Sequence, residues 1–345
     1  MPAKMMRAMV LEEFGKPLQL REVPVPEIGD EEALVQVHAC GLCGTDLKIS
    51  GGKLAGIPTP LIMGHEPAGV VVEVGSRVTN VKVGDHVALA LYVTCGQCEF
   101  CRTGNESLCV NLVGRPGFEL NGGFAEYFKV PARNLFRVAP HVPFEQVALL
   151  ADCIATIWHA VCRRAEVKIG QTVVVVGAGG LGVHAIQLLK LAGARVIAVD
   201  VAEDKLEFAR QWGADVTIHS RQEDVVSRVK ELTDGLGAHA VLEFVGLPET
   251  IAADLRFLRR GGVLTLVGYA PDKPFTADSA DIVLSEKRIV GSRANTKQDL
   301  VEVIRLMEEG KIRGAITNRY RLEEVNEALE ALRRGEILGR VVVVP

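Results

Sequence analysis

The stretch "TCGQCEFCRTGNESLC" spaces Cys95, Cys98, Cys101 and Cys109 as C-x2-C-x2-C-x7-C. Two-residue gaps let thiolates from one tight loop converge on a tetrahedral ion, and a fourth from a short return closes the shell with no position left over. That pattern predicts a structural zinc site. Upstream, "CGLCGTDLK" supplies Cys43, Thr45 and Asp46, and "MGHEPAG" supplies His65 and Glu66. A thiolate and an imidazole from separate loops, still short of a third ligand, make an open zinc site that can accept a reacting molecule. Taken singly, Cys43 reads as a small buried hydrophobe and His65 as a core histidine. Their joint presence favours a metal.

A third group is "VVVVGAGGLGVHA", in which Gly177, Gly179 and Gly182 hold the G-x-G-x-x-G spacing directly after an apolar run. The first glycine makes a tight turn, the second lets the backbone approach a pyrophosphate, and the third allows close packing of helix on strand. The helix N-terminus then faces the anion, with Gly180 and Leu181 inside the turn. Asp200 ends the next apolar run, "RVIAVD", where an acid accepts hydrogen bonds from ribose hydroxyls. It would repel a 2′-phosphate, and Val201 offers no guanidinium, so the pattern predicts NAD rather than NADP. A fourth group poses a question: "ADCIATIWH" sets Asp152 beside Cys153 in a run otherwise fit for a buried helix face.

These residues need elements to hold them. Up to about residue 150 the chain shows short runs ("EALVQVHACG", "AGVVVEVG", "DHVALALYV") cut by Gly, Pro and Asp, the mark of a β-rich barrel or sandwich. "FEQVALLADCIATIWHAVCRRA" has helical spacing and reads as one long helix joining two domains. From about 170 to 292, apolar strands alternate with amphipathic helices, which predicts a parallel sheet covered on both faces. Two helices ("KQDLVEVIRLMEEGKI", "EEVNEALEALRRGE") and a strand ("GRVVVVP") follow. At 345 residues the chain exceeds what one core usually serves, so two domains are expected. A net charge of −4 with scattered Lys and Arg argues against nucleic acid as a partner. The N-terminal "MPAKMMRAMVLEEFGKP" lacks a leader-like apolar region, and no apolar run reaches the length of a membrane span. Eight cysteines, four of them within 95–109, fit metal binding in a reducing cytoplasm better than disulfides.

The motifs "CGTD", "GHEPAG", "VGDHV", the four-cysteine loop, "GGFAEY", "GAGGLG", "AVD" and "GRVVVV" closely resemble, in order and spacing, those of the zinc-containing medium-chain alcohol dehydrogenase family. The resemblance runs from about residue 7 to the end of the sequence. It implies an α/β fold: a doubly wound Rossmann sheet inserted in a β-rich GroES-like catalytic domain. The implied boundaries are 1–152 with 293–345 for the GroES-like part, its zinc lobe at 95–109, and 153–292 for the NAD-binding part, with the active site in the cleft between them.

Carried over by position, Cys43 and His65 are implied ligands of a catalytic zinc, and Glu66 a nearby carboxylate that can approach it. Asp46 would orient the His65 ring, and Thr45 would receive the substrate proton. Matching Thr156 and His159 to the family's Thr and His puts the third ligand at Asp152, with Cys153 one place late. Arg340 matches an arginine that contacts the cofactor pyrophosphate, and Lys205, Val267, Gly268 and Ala294 fall at cofactor-lining positions. Two Zn²⁺ per chain and NAD are implied, with an alcohol or carbonyl compound as substrate and a homodimer or homotetramer built through a sheet edge near "KRIVGSRA". Two departures matter. Lys48 stands where relatives often place a histidine acceptor, so water is the expected terminal acceptor. Gly44 replaces a frequent basic residue. Ala90, Leu91 and Tyr92 stand where some relatives narrow the pocket with tryptophan, pointing to bulky or aromatic alcohols, secondary or primary. A polyol, sugar or threonine-type amino-alcohol dehydrogenase is the alternative, since polyol enzymes also carry a carboxylate at the third-ligand position. A non-catalytic zinc- and dinucleotide-binding protein is the remote one, disfavoured because Thr45 and the ligands are all present.

Overall fold

The computed structural model describes residues 4–345; Met1–Ala3 of the N-terminal stretch lie outside the described residues. The chain divides into two compact units. One runs to Ala155 and resumes at Asn295–Pro345, and the other is Thr156–Ala294.

The first unit is built on a seven-stranded sheet. Its strands follow the order Ile316–Arg321, Arg340–Val344, Glu32–Leu42, Glu66–Val74, His86–Leu89 and Leu135–Arg137, with Tyr127–Pro131 also pairing with Glu32–Leu42. Only the pairing of Ile316–Arg321 with Arg340–Val344 is parallel. "EALVQVHACGL" forms the central strand because its β-branched and small residues turn inward at Val35, Val37 and Ala39 while Gln36 and His38 face out. Toward its end the strand is buried on both faces, and Cys43 follows directly. Gly41 lies opposite Glu66 on one side and Val342 on the other. This register draws residues from three distant stretches of chain to one spot. The strand Ile316–Arg321 was not foreseen: "ITNRYR" is mostly polar and exposed, as an edge strand can be.

The second unit carries a parallel sheet in the order Val216–His219, Arg195–Asp200, Thr172–Val176, Ala238–Glu243, Leu258–Leu266 and Arg288–Gly291. The first strand formed, "TVVVV", is buried at every position, as a strand covered by helices on both faces must be. Strand order reverses at Thr172–Val176, so the crevice beyond its carboxyl end is the topological switch point.

The expected long helix spans Phe144–Arg164 but is not uniform. Leu150–Ile154 and His159–Arg164 are wound as π-turns, with Ile154 N–H bonded to Leu149 O at 2.9 Å and Ala165 N–H to Ala160 O at 2.8 Å. Each is an i to i−5 bond, which inserts one residue into the helical turn. The carbonyl of Ala151 is taken up by the Asn295 side chain at 3.2 Å. By length and composition this helix could cross a membrane, but 67% of its apolar window is buried inside the protein, as a core helix requires.

Candidate active site and metal centres

Cys43 caps the short helix Gly44–Ser50, and Asp46 closes the capping box by accepting from Cys43 N–H at 2.8 Å. The other oxygen of Asp46 lies 3.1 Å from His65 Nδ1. One fully buried carboxylate therefore fixes both the loop bearing the thiol and the orientation of the imidazole. Phe118 packs against the His65 ring edge to face, with centroids 5.1 Å apart. On the far side of the ring, His65 Nε2 is buried and without a hydrogen-bond partner.

That orphaned nitrogen faces a collection of donors. Asp152 Oδ2 lies 3.6 Å from it and Glu66 Oε1 3.9 Å. One ligand atom each from Cys43, His65, Glu66 and Asp152 can be chosen so that all lie within 4.8 Å of one another. Of the adjacent pair at 152 and 153, the carboxylate belongs to this group, while Cys153 is fully buried. Burial raises the Cys153 thiol's pKa well above its ordinary value. Burial opposes protonation of His65, but the Asp46 charge and the nearby acceptors on Asp152, Asp46 and Cys43 outweigh it and hold its pKa well above the usual histidine value. A divalent cation would supply the positive charge that these groups otherwise take from a proton.

Glu66 differs from the other three. Both its oxygens accept from Arg340, itself only 4% exposed. Burial pushes the Glu66 pKa up against the pull of the Arg340 charge. The fit demands Gly41, where a Cβ would stand 1.9 Å from Glu66 Oε2. Arg340, implied by the family resemblance to touch a pyrophosphate, is thus engaged with Glu66, and its Nε has no partner. This ion pair was not foreseen, because its members are 274 residues apart.

The four-cysteine loop gives a sharper test. Sγ separations are 3.5 Å for Cys98–Cys101, 3.6 Å for Cys95–Cys109, and 3.9 Å for Cys95–Cys101 and Cys98–Cys109. A tetrahedral zinc with bonds of about 2.3 Å needs its sulfurs about 3.8 Å apart. Backbone N–H groups of Cys101 and Val110 lower the Cys98 thiol's pKa to about 6, giving it the thiolate character a metal requires. The loop fits a structural zinc.

In the second unit, the glycine turn lies between Thr172–Val176 and the helix Gly182–Leu191. Gly177 has φ 93°, a Cβ on Gly182 would meet Gly177 O at 2.0 Å, and one on Gly179 would meet nothing within 4 Å. The turn therefore needs glycine for its own packing at two positions and leaves the third open to a ligand. Asp200 accepts from Ala178 N–H at 2.8 Å and from the N–H groups of Val201 and Ala202 at 2.7 and 3.1 Å, which anchors it beside the turn. Gly180, Leu181, Lys205, Val267, Gly268 and Ala294 are all partly accessible, Ala294 with a positive φ of 46°.

The family model described as zinc-binding dehydrogenase matches residues 180–309, and that of the alcohol dehydrogenase GroES-like domain matches residues 29–143. An alcohol dehydrogenase of Geobacillus stearothermophilus is 37% identical over 98% of this chain and 99% of its own. The chain belongs to the zinc-containing medium-chain alcohol dehydrogenase family. An NAD-dependent alcohol dehydrogenase of Sulfurisphaera tokodaii is 35% identical, covering 99% of this chain and all of its own. The alcohol dehydrogenase structure from Aeropyrum pernix superposes with a TM-score of 0.91 at 35% identity, covering 98% of this chain and 100% of that one. This dehydrogenase is accordingly an NAD- and zinc-dependent oxidoreductase that interconverts alcohols and carbonyl compounds.

Proposed function

We propose that Cys43, His65 and Asp152 hold the catalytic zinc, that Glu66 is kept in reserve by Arg340, and that the enzyme oxidises secondary or primary alcohols with bulky or aromatic substituents. The observation that carries the site assignment is the buried, partnerless His65 Nε2 amid a thiol and two carboxylates. Bound zinc would act as a Lewis acid that lowers the pKa of an alcohol oxygen, and NAD would accept the hydride. Asp46 holds His65 in the tautomer whose Nε2 lone pair is free for the metal, since Nδ1–H then donates to it. Thr45, half-buried one residue beyond the Gly44 backbone, supplies the hydroxyl that takes the substrate proton outward. Burial pulls the Lys48 pKa below the usual lysine value, but water remains the simplest final acceptor. Gly177, Gly179 and Gly182 cradle the pyrophosphate, and Asp200 receives the ribose hydroxyls.

The small side chain of Ala90 supports a wide pocket. Leu91 and Tyr92 beside it are buried, and the backbone carbonyls of Ala90 and Tyr92 are fixed by the Asn134 amide. A homo-oligomer is favoured by the second unit's edge strand Arg288–Gly291 and the neighbouring helix Ser279–Ser285, which leaves Val283 and Leu284 71% and 78% exposed. A reducing cytoplasm suits the free thiols of the zinc lobe. The test is a panel of alcohols and carbonyls followed by NADH absorbance. Highest kcat/KM on aryl or branched alcohols is expected, and a clear preference for polyols or 3-hydroxy amino acids would overturn the substrate assignment.

A further inference from the structure

Two acidic side chains in the second unit interact with no cation at hand among the described residues. Glu243 closes the strand Ala238–Glu243 and is fully buried, and Asp254 lies 1% exposed on the inner face of the helix Pro248–Phe257. Glu243 Oε2 and Asp254 Oδ2 both lack a donor. Among the described residues, cations on the elements packed around the pair are committed elsewhere. Arg259 bonds His239, Lys287 bonds Leu255 O and Asp281, and Arg228 pairs with Glu223 and Glu231. Lys230, Arg256 and Arg260 are exposed, as are the acids Glu231 and Glu249. Two bare carboxylates in such a setting repel, whereas one proton between them removes a charge and gives both orphaned oxygens a shared O–H···O bond. Burial, then the Glu243 charge and a hydrogen bond to it, hold the Asp254 pKa well above the ordinary aspartate value.

The other end of Glu243 is tied to the backbone. Its Oε1 accepts from the N–H groups of Val245 at 2.5 Å and Gly246 at 2.7 Å, while its main-chain carbonyl accepts from Val267 and Gly268 at 3.0 and 2.9 Å. The loop so held fits tightly on both sides. A Cβ on Gly246 would meet Tyr269 backbone at 2.5 Å, one on Gly268 would meet Phe244 O at 2.1 Å, and one on Gly177 would meet Val245 Cγ2 at 3.1 Å. The loop after Glu243 is therefore wedged between the glycine turn and the Val267–Gly268 turn.

We infer that Glu243 and Asp254 share one proton and act as positioning residues for the dinucleotide site, with the Glu243 carboxylate bracing the loop against which Gly177 rests. The inference rests on the reading that the turn from Gly177 to Gly182 holds NAD. Because an acid with a raised pKa stays protonated until the pH climbs through that value, the brace holds below it. It loosens as the pH rises and a second buried charge appears.

The test measures NADH dissociation constants by fluorescence on the full-length enzyme from pH 6 to pH 10, with melting temperatures alongside. Native enzyme should lose affinity as the pH rises across this range. Asp254→Asn, whose amide donates to Glu243 at every pH, should match it at pH 6 and be free of that loss. Glu243→Leu, if folded, should bind NADH at least about tenfold more weakly, since two loop N–H groups lose their acceptor. Gly179→Asp, which adds a charge where space is open, tests the underlying site. If it still binds NADH normally, the glycine turn is not the cofactor site and the inference falls with it. If it loses binding but Asp254→Asn weakens with pH in parallel with the native enzyme, the shared proton alone is refuted.

Discussion

Replacing Asp152 by Ala should empty the catalytic metal site while leaving the cysteine lobe filled. The carboxylate lies 3.6 Å from His65 Nε2, and its side chain is 17% exposed, so any cation among these ligands interacts with it in a medium far less polar than water. Opposite unit charges 4 Å apart at an effective dielectric of 20 attract by about 4 kcal/mol. A divalent ion bound directly by the carboxylate is closer and more highly charged but sheds water to bind, so about 4 kcal/mol, or roughly a thousandfold in affinity, is the scale of the expected loss. Zinc measured by mass spectrometry after dialysis should drop from about two to about one per chain, and kcat/KM should fall with it. Cys153→Ala is the control. Removing one sulfur from a fully buried site costs about 1 kcal/mol of stability through the small cavity left, with zinc and turnover retained. Retention of both zincs by Asp152→Ala, or loss of one by Cys153→Ala, would refute the assignment.

Three further outcomes are open to measurement. Native enzyme should prefer NAD to NADP by at least about tenfold in kcat/KM, since like charges 4 Å apart cost about 1 kcal/mol even in water and a phosphate carries nearly two; Asp200→Gly with Val201→Arg should shift the preference toward NADP, and equal native use of both cofactors would contradict the role of Asp200. Gly41→Ala should lower unfolding free energy by about 1–3 kcal/mol in denaturant titrations, because its Cβ would land on Glu66 Oε2 and displace the pair with Arg340; unchanged stability would show that the pair is readily rearranged. Val283→Asp with Leu284→Asp should shift sedimentation toward monomer without altering the fold by circular dichroism, whereas a native enzyme monomeric at micromolar concentration would dispose of the oligomer altogether.

What could be read from sequence was largely what is local. The four-cysteine spacing and the glycine turn each span a few residues, and their geometry follows from turn chemistry alone. The parallel sheet was legible because a strand buried on both faces must be apolar throughout, as Thr172–Val176 is. Asp152 could be proposed by matching Thr156 and His159 to the family's segment, but the π-turn that surrounds it could not be foreseen, since an extra residue in a helix leaves the apolar spacing almost unchanged. The Glu66–Arg340 pair and the meeting of Glu243 with Asp254 were invisible for a different reason. Each depends on strand register or helix placement, which no motif in either segment records.

The sheet that joins Glu66 to Arg340 also imposes an order on synthesis. With Arg340 274 positions beyond Glu66, a ribosome adding about 5–20 residues per second makes Glu66 wait some tens of seconds for its cation. The whole of Thr156–Ala294 is contiguous and emerges within that interval, so it is free to fold while the first unit is still unfinished. Until Arg340–Val344 arrives, the end of the central strand at Cys40–Leu42, next to Cys43, has one open edge. Such an edge can pair with a stray strand. The interrupted chain order thus makes the corner where Glu66 meets Arg340 the last part of the nascent sheet to close, and the period before closure is when aggregation threatens it most.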